Sequence, residues 1–413
     1  MRLVFEIPVP PAQILPRVNQ PKKTEQRRPH GWIGIHRGYK ARPVEWLTEK
    51  FIFLVSLSAI LMVLLIFLFV AREALPVFFT ETNTALVQPV IPVADMDKHP
   101  PAELQHYLDI TPEQFESVGR ETLLVLMQGK IDEQNDVPEK FRNDPDARIN
   151  TTEWRYMVQP HQWSNYQKPE YIWQPVGEIK KFNIIPLFVG TLKTTLIGLL
   201  FAVPLAVGAA IYVSQLARPK VREIVKPVIE MLAGIPSVVT GFFALIVMAT
   251  VLQNIFRYDT RLNAFVAGIA LGIAVIPVVF SIAEDALTSV PRAYTQAALA
   301  LGASRWQTAW QIVLPAALPG VFAATVLGFG RAIGETMIVL MVCSASVMSW
   351  SIFDSARSIT TTIAAEMAEA VNGGPHYRIL FMLGALLFAA TFVSNMIGEL
   401  VIHRFKQKLE GKR

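Results

Sequence analysis

The sequence predicts an all-α membrane protein with six transmembrane helices, and three observations carry that prediction. Of the 413 residues, 52% are hydrophobic and only 17% are charged, whereas soluble domains carry about 25% charged residues. Six long apolar segments each reach the roughly 20 residues that cross a bilayer. Finally, lysine and arginine concentrate in three segments that six spans would place on one side of the membrane.

The six apolar segments contain few charges. In chain order, the predicted spans are 51–71, 184–213, 231–256, 262–283, 321–347 and 379–402. Lys193 interrupts the second span, Arg331 and Glu335 lie in the fifth, and Glu399 lies near the end of the sixth. We predict that Pro236 and Pro277 kink the third and fourth helices, because proline removes a hydrogen bond from the helical ladder.

Charge outside the spans predicts the orientation. Residues 1–50 contain ten lysines and arginines against four acids, and the segments after the second and sixth spans are also basic. Cytoplasmic loops carry such an excess, so both termini are expected in the cytoplasm. The predicted parts are a basic arm (1–50), a first helix (51–71), an extracytoplasmic insertion (72–183), a transmembrane domain (184–402) and a tail (403–413).

The insertion is acidic, with 18 acids against 11 bases. It is too long for a structureless loop, so we expect a compact unit of mixed structure. A helix is predicted over 113–130, where Phe115, Val118, Leu123, Leu124 and Met127 form an apolar stripe. A dense group of aromatic residues follows, suited either to a small core or to the lipid headgroup region; it comprises Trp154, Tyr156, Trp163, Tyr166, Tyr171 and Trp173.

Several chemistries have no residues to support them. The chain contains no Gly-x-x-x-x-Gly-Lys-Ser/Thr loop for ATP phosphates and no His-Glu-x-x-His zinc motif. Its one cysteine cannot form an internal disulfide, and its seven histidines lie at no ligand spacing, as expected of solvated surface residues. We therefore expect no enzyme activity, metal or cofactor on this chain, and the scattered basic residues do not suggest nucleic acid.

The loop 284–320 between the fourth and fifth spans has a pattern of its own. Pro291 suits the first turn of a helix, alanines continue that helix, and Gly302 can end it. A second amphipathic segment runs to Leu314 and Pro315. Composition alone leaves open whether these two helices pack on their own bundle or fit a groove in another protein.

The spacing of this loop resembles a known signature. Gln296-Ala297-Ala298, then Gly302, then Ile312, Leu314 and Pro315 match the "EAA…G…I-x-L-P" pattern of permease subunits of binding-protein-dependent ABC importers. The resemblance implies that this loop couples the permease to an ATP-hydrolysing subunit. Gln296 departs from the pattern, which usually has glutamate there, and this affects only a charge contact with the ATPase.

Further segments resemble the phosphate-specific permeases, the PstC/PstA family, with Met337 closer to the PstC type. They are 185–191, 234–243, 284–287, 330–337 and 360–367. The resemblance implies a type I importer fold in the bacterial inner membrane, surrounded by lipid. It also implies a homologous PstA-like permease, two PstB-like subunits that bind ATP, and a PstS-like periplasmic protein that delivers phosphate.

Arg331 and Glu335 are the candidate substrate residues. Arg331 lies ten residues into the predicted fifth span, roughly 15 Å deep at 1.5 Å per residue, and Glu335 follows at i+4 on the same helical face. Facing lipid would cost at least ~2.5 kcal/mol, so both should face the bundle or a wet cavity. Gly330 and Gly334 beside them would allow a close helix contact or a bend.

Two interpretations of this pair remain open from the residues alone. It is either an ion pair between helices or part of an oxyanion pathway, in which the guanidinium fork of Arg331 suits phosphate oxygens. The resemblance favours the pathway. The sequence therefore predicts a phosphate permease of an ATP-driven importer, with three alternatives: an importer of another oxyanion, a gradient-driven anion transporter, or a scaffold or sensor built around the insertion.

Overall fold

The computed structural model describes residues 43–79, 82–108, 110, 112–343 and 348–409. Most of the predicted arm, the end of the predicted fifth span and the last four residues of the tail lie outside the described residues. The chain divides into two units, Met1–Leu65 and Ile66–Arg413. In the first unit, the described residues form the beginning of helix α1 (Pro43–Phe78), and its apolar side chains from Trp46 onward are exposed.

The described part of the second unit is mostly helical. Before the transmembrane domain it contains α2 (Pro101–Leu108), α3 (Pro112–Ser117), α4 (Arg120–Asn135), α5 (Glu139–Arg142), α6 (Trp154–Val158) and the antiparallel pair β1 (Trp173–Gln174) and β2 (Lys181–Phe182). The transmembrane domain contains α7 (Ile185–Ile211), α8 (Pro219–Leu232), α9 (Ser237–Phe243), α10 (Ala249–Phe256), α11 (Ala264–Thr288), α12 (Arg292–Ala300), α13 (Arg305–Thr308), α14 (Leu314–Ile333), α15 (Met337–Val342), α16 (Ile359–Glu366) and α17 (Pro375–Leu409).

Short π-helical segments join several of these helices into longer ones. Tyr212–Leu216 extends α7, Ala244–Met248 joins α9 to α10, and Ala309–Val313 joins α13 to α14. With these joins, the described residues contain six helical stretches long and apolar enough to cross a membrane: Trp46–Phe78, Ile185–Leu216, Ser237–Phe256, Ala264–Thr288, Arg305–Ile333 and Pro375–Arg404. The predicted class and number of spans are confirmed.

The bounds of two predicted spans are wrong. The fifth stretch is Arg305–Ile333, so the predicted span 321–347 is not one helix: α14 ends at Ile333, and α15 begins only at Met337. The third stretch begins at Ser237, because the amphipathic helix α8 ends at Leu232. In both regions, the run of apolar residues continues past a point where the helix is interrupted.

Helix α11 lies at the centre of the transmembrane domain and packs mainly on α7 and α14. Glycines allow its close contact with α7: a Cβ atom at Gly268 would lie 2.5 Å from Cγ2 of Ile197, and one at Gly272 would lie 2.8 Å from the carbonyl oxygen of Gly198. Small residues serve this purpose in membrane helices, where tight van der Waals packing drives association. Leu271, Val279 and Phe280 are fully buried in the same core.

The first part of the insertion has its own small core. The predicted helix over 113–130 is wrong as a single element, because Val118 and Gly119 are not helical and separate α3 from α4. The predicted apolar stripe is confirmed: Leu123 and Met127 are buried, and Phe115, Val118 and Leu124 pack against them.

The aromatic stretch is divided between core and surface. Trp163 and Trp173 are buried, which agrees with the packed-core interpretation, while Trp154 is exposed. The ammonium of Lys181 lies 4.8 Å from the ring centre of Trp163, and burial lowers the pKa of this lysine.

A buried carboxylate, Asp146, ties the turn Pro145–Arg148 to this stretch. Its Oδ2 accepts hydrogen bonds from the backbone N–H and the hydroxyl of Ser164, at 2.5 and 2.8 Å. His161 lies 3.2 Å from Oδ1. Burial opposes ionisation of Asp146, but the hydrogen bonds from Ser164 and His161 outweigh it, so the pKa of Asp146 is lowered.

The last part of the insertion belongs to the core of the transmembrane domain. Met157, Trp173 and Phe182 share one buried cluster with residues at the starts of α7, α16 and α17. The final turns of α1 also contact α17 within this second unit, where the ring centres of Phe67 and Phe388 lie 5.3 Å apart. The end of the insertion is therefore positioned by the transmembrane helices.

Candidate functional site: a polar segment and a coupling corner

Arg331 lies in the last turn of α14, two residues before the helix ends. Its side chain is exposed, and within the described parts of the chain it has no hydrogen-bond or ion-pair partner. A cation at the carboxyl end of a helix interacts favourably with the helix dipole, which is the structural explanation for its position. Among the described residues, no side chain occupies the guanidinium donors, whose planar fork suits anionic oxygens.

Glu335 does not form the predicted i+4 pair with Arg331. The helix ends at Ile333, with Gly334 as its C-cap, so the two residues do not share a helical face, and they make no ion pair among the described residues. Oε1 of Glu335 instead accepts the N–H of Met337 at 3.2 Å, and so caps the first turn of α15. The prediction assumed a continuous helix through Gly334, and that assumption is wrong.

A buried polar helix, α16, holds the segment that contains Glu335. The hydroxyl of Thr360 donates to the carbonyl oxygen of Glu335 at 3.1 Å. Ser358 caps α16 in a reciprocal arrangement with Thr361, and the hydroxyl of Thr191 on α7 accepts the N–H of Ile359 at 2.9 Å. These hydrogen bonds connect the segment between α14 and α15 to α16, and connect α16 to α7.

Glu366, at the end of α16, is the centre of a second cluster. It pairs with Arg357 at 2.9 Å and with His376 of α17 at 2.9 Å. The indole N–H of Trp173 also donates to both of its oxygens, at 3.1 and 3.2 Å. This cluster connects the insertion to α16 and α17.

The sequence did not predict the Glu366 cluster. His376 was predicted to be solvated, but its side chain is 16% exposed and contacts the carboxylate. The partners lie up to 193 residues apart in the chain, so no local spacing could indicate them. Glu366 itself lies in a segment, 360–367, that resembles the phosphate-specific permeases.

The loop between the fourth and fifth spans forms the predicted helix–glycine–helix corner, which we call the coupling corner (291–315). At the end of α12, the N–H of Ala303 donates to the carbonyl of Ala298 and that of Gly302 to the carbonyl of Leu299, at 3.1 and 3.0 Å. This pair of bonds is a Schellman motif, which needs a left-handed residue at Gly302. Gly302 has φ +87°.

The second helix of the coupling corner begins with a complete capping box. The hydroxyl of Ser304 accepts the N–H of Gln307, and the side chain of Gln307 accepts the N–H of Ser304. Two successive capping motifs therefore define the turn between α12 and α13. Each satisfies backbone groups at a helix end that would otherwise be unpaired.

The residues of the predicted signature lie mostly on the outside of this corner. Gln296, Ala297, Gly302, Ile312 and Pro315 are exposed, whereas Ala298 is buried and Leu314 is half-buried. Large apolar side chains beside them are also exposed, among them Tyr294, Leu301 and Trp306. Apolar side chains grouped on an exposed turn are typical of a protein contact surface.

A buried carboxylate anchors α8 beside the coupling corner. Glu284, near the end of α11, is fully buried and pairs with Arg222 at 2.5 Å and Lys226 at 2.7 Å, both on α8. The hydroxyl of Thr288 donates to the same carboxylate at 3.0 Å. From the sequence, the cations of α8 indicate only membrane orientation, because their pairing depends on how α8 folds along α11.

The predicted hinge residues have separate roles. Pro236 lies immediately before α9, so it begins a helix instead of kinking one, whereas Pro277 lies within the continuous helix α11. Gly334 ends α14, and a Cβ at Gly330 would lie 3.4 Å from Asn395. The tight contact of this region is at Gly328, where a Cβ would lie 2.5 Å from Val279.

Lys193, inside the second span, has a structural role. Its ammonium donates to the carbonyl oxygens of Ser349 and Ser351, at 2.9 and 2.8 Å. These bonds hold the segment that leads to α16 against α7. An ammonium with two carbonyl partners stabilises the loop and needs no ligand.

Comparison with known proteins agrees with these features. Residues 185–409 match the family model described as "binding-protein-dependent transport system inner membrane component". The probable ABC transporter permease protein YqgH of Bacillus subtilis is 34% identical over 222 residues, which cover 54% of this chain and 72% of that protein. The phosphate transport system permease protein PstC of Pasteurella multocida is 35% identical over 261 residues, covering 58% and 80%.

Among solved structures, the MetNI methionine ABC transporter in inward facing conformations is 18% identical to this chain. That match covers 54% of this chain and 94% of the other, with a TM-score of 0.41. The family assignment rests on the match to the family model, which covers 185–409 and so includes the coupling corner, α16 and the Arg331 segment. The chain belongs to the family of binding-protein-dependent transport system inner membrane components.

Proposed function

We propose that this chain is the permease subunit of an ATP-driven importer that carries inorganic phosphate across the bacterial inner membrane. The observation that carries this proposal is the 35% identity to a phosphate transport system permease over 80% of that protein's length. As a transport subunit it is not an enzyme, and ATP hydrolysis belongs to a separate chain.

The coupling corner is the contact with that ATPase in this proposal. Its exposed apolar side chains offer a contact surface, and its two capping motifs hold the turn in one conformation. Two PstB-like subunits would bind ATP, one on this chain and one on a homologous PstA-like permease. A PstS-like periplasmic protein would deliver phosphate, and this chain would hold no cofactor of its own.

The proposed orientation places both termini and the coupling corner in the cytoplasm. The ends of α7 and α11 lie at the same end of the bundle as α8, because Glu284 pairs with Arg222 and Lys226 there. An excess of cations on that side agrees with the usual bias of cytoplasmic segments. The insertion and the start of α17 would then face the periplasm.

Arg331 is the proposed anion contact along the pathway. Its guanidinium has no partner among the described side chains, and a planar fork of donors suits phosphate oxygens. Glu335 does not neutralise it directly, since its carboxylate caps α15. Movement of the α14–α15 break would change the position of Arg331, and the hydrogen bond from Thr360 links this break to α16.

Substitution of Arg331 tests the pathway assignment. Arg331→Gln should lower the rate of phosphate uptake at least tenfold, because hydrogen bonds to charged groups contribute about 1.5–3 kcal/mol. The measurement is uptake of radiolabelled phosphate by cells in which this chain is the only such permease. The control is Arg257→Gln, another exposed arginine at a helix end, which should leave uptake within about twofold of wild type.

Equal uptake by wild type and Arg331→Gln, at equal levels of the two proteins in the membrane, would contradict the pathway role of Arg331. Its interaction with the helix dipole would then be its one assigned role.

A competition experiment distinguishes phosphate from other oxyanions as the transported substrate. If excess sulfate or molybdate suppresses labelled phosphate uptake more strongly than excess unlabelled phosphate does, the chain belongs to an importer of another oxyanion.

A further inference from the structure

A cavity lies between the insertion and the beginning of α17. Its volume is about 790 Å³, within the range of about 300–1,000 Å³ typical of ligand sites. Four separate segments line it: the chain at 82–92, the chain at 99–107, Lys130 of α4 and the chain at 373–378. It is distinct from the Arg331 segment and from the coupling corner.

The lining of this cavity is positively charged although the insertion is acidic overall. Arg378 and Lys130 contribute two basic side chains, and Glu103 is the one carboxylate among the residues that line it. Lys130 lies 3.4 Å from Glu133, and Glu103 lies 3.1 Å from Nδ1 of His99. Arg378 is half-buried and has no side-chain partner within the described ranges.

Two hydroxyl groups in the cavity wall lack hydrogen-bond partners in the part of the chain that the structure describes. They are Oγ1 of Thr82 and the phenol oxygen of Tyr107. Thr82 is 3% exposed, and only its carbonyl oxygen is used, by Asn150 and Thr152. Buried hydroxyls are normally hydrogen-bonded. Both oxygens are closed to solvent, so each side chain would have to rotate to donate to a ligand in the cavity.

We propose that this cavity binds a phosphoryl oxyanion. Arg378 and Lys130 supply the positive charge, and the hydroxyls of Thr82 and Tyr107 supply neutral donors. Arginine binds such oxygens with two parallel hydrogen bonds, and negatively charged oxygens accept from hydroxyls. This chemistry has two sources, free phosphate and the headgroup of an anionic phospholipid, because Arg378 lies in the first turns of the last membrane-spanning stretch.

The inference does not depend on the proposed cargo, since a lipid headgroup would satisfy it in a transporter of any substrate. The test uses the full-length chain in dodecyl maltoside. One arm measures binding of radiolabelled inorganic phosphate at equilibrium, and the other measures phosphatidylglycerol retained by the chain in native mass spectrometry. Both arms are run in an Arg331→Gln background, so that binding at that residue does not contribute.

We expect one of the two ligands to bind, and Arg378→Gln to weaken that binding at least tenfold. Tyr107→Phe removes only one hydroxyl and should weaken it about threefold, within the range for a single neutral hydrogen bond. The control is Arg155→Gln, an exposed arginine of the insertion that does not line the cavity, and it should bind as the background does.

The two arms identify the source of the oxyanion. If phosphate binds and this binding is lost in Arg378→Gln, the ligand of the cavity is free phosphate. If phosphatidylglycerol is retained and this retention is lost in Arg378→Gln, the ligand is a lipid headgroup. The proposal is overturned if neither ligand binds, or if Arg378→Gln and Arg155→Gln have equal effects. Because Tyr107→Phe keeps the ring, its loss of binding with unchanged thermal unfolding excludes misfolding as the cause.

Discussion

Gly302 shows how one residue determines a functional surface. Its φ of +87° lies in the left-handed region, which costs most residues about 1–2 kcal/mol. A Cβ at this position would meet nothing within 4 Å, so the constraint comes from the backbone and not from packing. The coupling corner therefore depends on the conformational freedom of this glycine.

Substitutions at Gly302 should follow backbone preference and not side-chain size. Gly302→Val should distort the corner and reduce co-purification of the ATPase at least fivefold, whereas Gly302→Asn should stay near wild type because asparagine tolerates the left-handed region. The measurement is the amount of ATPase that co-purifies with this chain from detergent-solubilised membranes. Equal retention by the two variants would show that the Schellman geometry is not needed for docking.

At this scale, the sequence predicts features that depend on neighbours along the chain. The corner at Gly302 followed from local spacing, and the structure has it. The Arg331–Glu335 arrangement was wrong because it assumed a helix through Gly334, and a hydropathy pattern does not register the end of a helix. The hydroxyl groups of Thr82 and Tyr107, which have no partner among the described residues, could not be predicted from the sequence, since their environment comes from distant segments.

At the scale of elements, the attachment of α8 to α11 depends on Glu284. Its buried carboxylate faces two cations whose side chains remain 38% and 32% exposed. The hydrogen bond to Glu284 raises the pKa of Lys226, so this lysine stays charged throughout the physiological range. The pair fixes α8 next to the helix that leads into the coupling corner.

Neutralising Glu284 should loosen α8. Glu284→Gln is expected to lower the free energy of unfolding by about 1–3 kcal/mol, the cost of leaving a buried polar group poorly satisfied. The measurement is thermal unfolding of the purified chain in detergent. The control is Asp285→Asn, whose carboxylate is 73% exposed and 3.4 Å from Lys226 and should change stability by no more than about 0.5 kcal/mol. Equal effects of the two changes would contradict the role of the buried pair.

Helix number and order could be predicted from apolar runs, but helix ends could not. The predicted fifth span was displaced because Met337, Ile338 and Val339 continue the apolar run beyond the end of α14. The third span was extended backwards into the end of α8 for the same reason. Hydropathy does not register the breaks at Pro236 and Gly334, because the apolar run continues on both sides of each residue.

At the scale of the whole molecule, the insertion has two parts with different attachments. The first has its own core around Leu123 and Met127, and its ends lie together, since the N–H of Val87 donates to the carbonyl of Ala147 at 2.8 Å. The second part carries Trp173 into the core of the transmembrane domain. The sequence did not predict this division, because it indicated one acidic segment from 72 to 183.

Excision of the first part should therefore be tolerated. Replacing 89–142 with Gly-Ser-Gly-Ser, which can span up to about 13 Å, should leave the transmembrane domain folded, with its unfolding temperature within a few degrees of wild type. In contrast, Trp173→Ala should lower the free energy of unfolding by about 3–5 kcal/mol and release Glu366 from one partner. The measurements are thermal unfolding and membrane yield, and loss of the folded chain upon excision alone would contradict the division.

The central claim is that an ATPase partner drives phosphate through this chain, and phosphate uptake by proteoliposomes tests it most directly. The purified complex would be reconstituted with the binding protein and labelled phosphate on one side and ATP on the other. We expect uptake only with ATP, and none when a proton gradient replaces it. Uptake that persists without ATP and follows the proton gradient would instead identify a secondary transporter.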